Sequence, residues 1–85
     1  MTNTIYHAPG QFRINRRLYF FDRLTNLKQV SNSRWTVERH GVEYQIEGGR
    51  HAGGTSREWW LDGPQFNGSI DCTSLVDALR VLETM

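Results

Sequence analysis

The stretch from Arg34 to Glu47 constrains the fold more than any other part of the chain. Trp35 and Val37 alternate with Arg34, Thr36 and Glu38, and beyond His40-Gly41 the residues Val42, Tyr44 and Ile46 alternate with Glu43, Gln45 and Glu47. Two period-2 runs joined by a dipeptide that tolerates positive φ predict a β-hairpin. Histidine is enriched at positive φ among non-glycine residues, and glycine adopts it freely. A two-residue turn at His40-Gly41 pairs Val37 with Tyr44 and Trp35 with Ile46, which leaves one face apolar throughout. A slip of one residue would turn every apolar side chain to water, so the register is well specified.

On either side of this hairpin the chain reads as one small α+β domain spanning residues 1–85. Residues 1–11 read as an irregular lead-in broken by Pro9-Gly10. Residues 12–70 read as mainly β. Leu18-Tyr19-Phe20-Phe21 is β-prone by residue type, and Leu27 to Val30 can form a further strand. A helix over residues 16–29 competes, because Leu18, Phe21, Leu24 and Leu27 recur every three residues; those steps drift around a helix, and strands are preferred. After the Gly48–Gly54 loop, Arg57 to Leu61 predicts a third strand closed by Asp62-Gly63-Pro64, with a second turn signal at Asn67-Gly68. Residues 74–85 predict a helix. Ser74 and Asp77 resemble a capping box, and Leu75, Val76, Leu79 and Leu82 share one face. The expected architecture is an antiparallel sheet of about four to five strands with the C-terminal helix packed on a face.

Composition limits function more than it identifies it. The 85 residues are 38% hydrophobic and 22% charged, as in a globular domain and unlike a disordered chain. The single cysteine, Cys72, excludes an internal disulfide framework and makes a reducing cytoplasm the expected location. No apolar run reaches the roughly 18 residues of a membrane span, and no secretory signal opens the chain. Net charge is +1, unevenly spread: residues 1–40 carry seven cations against two acids, and residues 41–85 carry three against seven.

Candidate chemistry is sparse. Arg50 and His51 in the glycine-rich loop, with Arg57 beyond it, are the residues there that could touch a ligand. The loop is not a phosphate-binding P-loop, because it lacks the Gly-Lys-Ser/Thr ending and leads into a strand. Cys72 precedes the helix, where the dipole can lower a thiol pKa, but no nucleophile signature surrounds it. His7, His40 and His51 show no ligand spacing, so no metal or other cofactor is called for. Trp59 and Trp60, adjacent in a strand, must face opposite ways, so one of them is core and the other lies outside.

Trp35 in a first strand, Trp60-Leu61 in a third and Asp77-Ala78 in the helix resemble plant AP2-type and phage-integrase arm-type DNA-binding domains. That resemblance implies a sheet laid against DNA, whereas Glu38, Glu43 and Glu47 on the outward face would repel phosphate. Residues Tyr19 to Asn26 resemble the second hairpin of WW domains, without that family's signature tryptophans. The leading expectation is a non-enzymatic interaction module, a regulator or inhibitor that binds a protein partner through Arg50, His51, Arg57 and Trp60. The alternative is a nucleic-acid-binding module using Arg13, Arg16, Arg17, Tyr19 and Arg23, where aromatic rings stack bases and arginines hold phosphates. Against that alternative, the same arginines could lie beside the hairpin and neutralise its glutamates across strands. A homodimer is compatible with these features, and small chains of this kind occur in phages and mobile elements.

Overall fold

The computed structural model describes residues 4–8, 10–49 and 57–85, with side chains described from residue 10 onward. Eight strands and one helix follow in order: β1 (Thr4–Ala8), β2 (Gln11–Ile14), β3 (Arg17–Phe20), β4 (Leu24–Ser31), β5 (Arg34–Arg39), β6 (Val42–Gly48), β7 (Trp59–Asp62), β8 (Ile70–Cys72) and α1 (Leu75–Glu83). They form a five-stranded antiparallel sheet, β4-β5-β6-β7-β8, with α1 packed against β6, β7 and β8, as the sequence predicts. A second antiparallel sheet, β1-β2-β3, meets the first through contacts between β1 and β4. Among the described residues no helix is long and apolar enough to cross a membrane.

The central hairpin is β5–β6. His40 (φ 53°) and Gly41 (φ 78°) close it, and Val37 faces Tyr44 while Trp35 faces Ile46, as the alternation requires. Val37, Tyr44 and Ile46 have no exposed surface, and Leu61 of β7 extends the same face. Onto this face α1 brings Leu75, Ala78, Leu79 and Leu82, all buried. Ala78 takes the place that the sequence pattern assigned to Val76, which is only half-buried. Ser74 caps the helix by accepting from the Asp77 amide at 2.9 Å. The reciprocal bond of a capping box lands one residue early, with Asp77 Oδ2 accepting from the Thr73 amide at 3.0 Å.

Three features depart from the sequence reading. Thr4–Ala8, placed in an irregular lead-in, is a strand paired with β2. Tyr19 to Asn26 do not form a hairpin: β3 pairs with β2, and β4 belongs to the other sheet. The arginines therefore do not line up beside the glutamates, since it is β4 that borders β5, opposing Thr25 to Glu38 and Lys28 to Thr36. Strands occupy residues 17–20 and 24–31, and the three-residue steps have a local cause. Asn26 (φ 54°) sits where the β4–β5 register shifts, and the extra residue turns both Leu24 and Leu27 inward.

Phe12 and Ile14 of β2 and Phe21 after β3 enter the same buried cluster as Leu24, Leu27 and the helix residues. The small sheet is thus anchored on one side. Its other side faces water.

Candidate functional site

The two sheets present surfaces of opposite character. On the outer face of the large sheet the register forms a row, Arg34–Glu47–Trp60–Asp71, across β5 to β8. Arg34 Nη2 reaches Glu47 Oε2 at 3.3 Å, with both side chains about half exposed. Such a surface pair contributes about 0.2–1 kcal/mol. Neighbouring rows place Glu38 opposite Glu43 and Gln45 opposite Asp62. Glu43, Gln45, Asp62, Gly63 and Pro64 line a shallow hollow of about 210 Å³. This face is acidic, with Trp60 half-buried within it.

The small sheet is basic. Asn15 (φ 51°) and Arg16 (φ 69°) form the two-residue turn that joins β2 to β3, with Ile14 facing Arg17. Strand alternation sends Phe12, Ile14 and Tyr19 toward the core and leaves Arg13, Leu18 and Phe20 on the outer side. Leu18 is 38% exposed and Phe20 64% exposed. Arg13 stands directly across from Leu18, and Arg16, Arg17 and Arg23 are all exposed. Asp22 is the one acid among the described residues from Gly10 to Arg23. Beyond β2, β3 borders no other strand, so among the described residues its outer edge is open.

The residues singled out from the sequence fall into three groups. Arg50 and His51 lie outside the described residues. Arg57, exposed just before β7, and Trp60 belong to the large sheet; the in-register neighbours of Trp60 are Glu47 and Asp71 rather than a cation. Trp59, on the opposite face, packs against Trp35 with ring centroids 5.2 Å apart. Arg13, Arg16, Arg17 and Arg23 come together on and around the small sheet. Tyr19 does not join them as an open ring: it is half-buried and stacks on Phe21 at 6.2 Å and 16°.

Leu18 and Phe20 are the functional candidates the sequence reading missed. The signal that could have found them is Asn15-Arg16 as a two-residue turn, which fixes Arg13 opposite Leu18 and so reveals the side they share. Cys72 is buried, and burial first, then Asp77 and Asp71, pushes its thiol pKa up from the ordinary value. Near neutral pH it is held as the thiol, the poor nucleophile of the pair. No group of three or more metal-ligating side chains occurs among the described residues.

These features define a compact α+β globule with an exposed aromatic-aliphatic cluster and a surface salt bridge, an arrangement consistent with an interaction module. Comparisons with protein-family models, with curated proteins and with solved structures find no match.

Proposed function

We propose that this chain is a non-enzymatic binding module, a regulator or inhibitor that engages a protein partner through Leu18, Phe20 and the arginines around them. The observation that carries this reading is the 64% exposure of Phe20 on an open edge strand, beside Leu18 and across from the Arg13 strand. A folded chain that spends a large aromatic side chain on water forgoes about 2 kcal/mol of burial. Aromatic residues and arginine are also the types enriched at interface hot spots. The protonated, buried Cys72 supports the non-enzymatic half of the reading.

Nucleic acid is the second reading, and one observation favours it: Arg13, Arg16 and Arg17 are exposed on and beside the small sheet, whereas Glu38, Glu43 and Glu47 belong to the large one. It ranks lower because Phe20 is the single ring open to stacking among the described side chains of that sheet, whereas single-strand binders use several.

One experiment separates the two. The tagged chain and its Leu18→Ser/Phe20→Ser double variant are used as baits in a lysate of the source cells, with and without nuclease. Proteins retained by the parent after nuclease treatment and lost by at least tenfold with the double variant are the expected result. Equal recovery by both baits would falsify the proposed surface, and recovery abolished by nuclease would shift the reading to nucleic acid.

A further inference from the structure

We infer that the open edge of β3 is a docking strand for an extended segment of a protein partner in which apolar and acidic residues alternate. The inference rests on the binding-module reading above and names the mode and chemistry of the contact. An edge strand carries a row of unpaired N–H and C=O groups, which chains ordinarily blunt with a covering element, a proline or inward charges. Residues Arg17–Phe20 contain no proline, and no described strand pairs with the side of β3 away from β2. A charged edge alone would be a protective device. Here Leu18 and Phe20 stand exposed on one side of the strand, a feature that protects nothing.

The side chains specify the guest. A segment added antiparallel or parallel to β3 would point alternate residues to the two sides of the extended sheet. On the side of Leu18 and Phe20, apolar residues would cover the two exposed groups. On the other side Arg17 is exposed, and Arg16 and Arg23 stand beyond the two ends of the strand. Tyr19, next on that side, is half-buried, so a carboxylate opposite Arg17 and others beyond the two ends of the strand would meet cations. Four residues of strand span about 13 Å, so a guest of four to six residues is sufficient.

The same charges argue against a second copy as the occupant. Antiparallel pairing of β3 with itself would oppose Arg17 to Phe20 and Leu18 to Tyr19, gathering the arginines of two copies at one edge with Asp22 as the one nearby acid.

The turn adds a further observation. Arg16 adopts φ 69°, where glycine is the residue of choice and where other L-residues are strained. An arginine kept in a strained position beside the docking edge points to a use for its charge.

The test uses a fluorescein-labelled ten-residue peptide of alternating valine and glutamate. Its controls are the lysine-for-glutamate counterpart, a version with prolines replacing two central valines, and a ten-nucleotide dT strand. Binding is read by anisotropy, and the docking position by amide hydrogen exchange over Arg17–Phe20. The acidic peptide should bind and slow exchange in β3. The lysine peptide should not bind, and the proline peptide should bind at least tenfold more weakly, because it lacks two backbone donors. Arg16→Gly should weaken the acidic peptide severalfold while melting no lower than the parent, which separates loss of contact from loss of fold. Equal affinity for the proline peptide, or protection appearing away from β3, overturns the docking mode. Tighter binding of the dT strand than of the acidic peptide overturns the partner class. If the double variant above loses its partner while β3 amides stay unprotected, strand addition fails and the binding-module reading stands. If that variant keeps its partner, the binding-module reading fails on its own test.

Discussion

Two hairpins in this molecule are closed by the same kind of two-residue turn and are put to different uses. In β5–β6 the turn is His40-Gly41, with φ 53° and 78°; in β2–β3 it is Asn15-Arg16, with φ 51° and 69°. The first hairpin has glycine where the backbone asks for it, buries Val37, Tyr44 and Ile46 completely, and turns an acidic face to water. The second places arginine in the position suited to glycine, and leaves Leu18 and Phe20 exposed among cations. In the first, local preference, alternation and burial agree. In the second they conflict at the turn and on the outer side. Conflicts of this kind collect where a chain meets something other than itself.

The comparison breaks most visibly at the far end of the first hairpin, where packing leaves no room for change. Gly48 of β6 faces Trp59 of β7, and a Cβ built on it would lie 2.5 Å from the Glu58 carbonyl oxygen and 2.6 Å from Trp59 Cα. Both are backbone atoms, so β7 would have to move away from β6. That movement would disturb the bonds made by the Gly48 amide to the Ser33 carbonyl and by the Gly49 amide to the Glu58 carbonyl. Gly48→Ala is expected to lower the unfolding free energy by about 3 kcal/mol, read as a shift of the urea midpoint. A midpoint within error of the parent would mean that β6 and β7 do not approach as closely as described.

The next effect isolates the turn. A Cβ on Gly41 meets nothing within 4 Å, so Gly41→Ala tests the backbone alone. It should cost about 1 kcal/mol, because alanine gains no contact and must adopt a positive φ. An unchanged midpoint would show that the turn relaxes easily, and the contrast with Asn15-Arg16 would lose its meaning.

How much of this was legible in the sequence follows from where local and long-range terms agree. The β5–β6 register could be read because Trp35, Val37, Tyr44 and Ile46 alternate with polar residues and flank a dipeptide suited to positive φ. The helix could be read because Ser74 and Asp77 announce its start. The bulge at Asn26 was hidden, since one inserted residue makes Leu24 and Leu27 look like a helical step. The strand Thr4–Ala8 was hidden as well, because what holds it is pairing with β2 and contact with β4, neither visible in a run of five residues. The exposed cluster was hardest. Leu18-Tyr19-Phe20-Phe21 are all β-prone and apolar, so the run itself gives no alternation to say which of them faces water. Only the pairing of β2 with β3 decides, and pairing is a property of two segments at once.

The smallest effect is the one that most sharpens the contrast between the hairpins. Arg16 at φ 69° bears the steric penalty of a left-handed backbone, about 1–2 kcal/mol for a residue with a Cβ. Replacing it by glycine removes that penalty but frees the unfolded chain, which costs about 0.5–1 kcal/mol. The balance predicts that Arg16→Gly raises stability by about 0.5 kcal/mol, a midpoint shift small but measurable against the parent. Arg16 is exposed, so little side-chain packing is lost to offset the gain. If the stabilised variant also binds the acidic peptide less well, stability and recognition pull in opposite directions at one residue, which is the pattern expected of a position kept for its charge. A variant that is less stable than the parent would instead place Arg16 among the structural contacts of its hairpin. The difference between the two turns would then be one of packing and not of purpose.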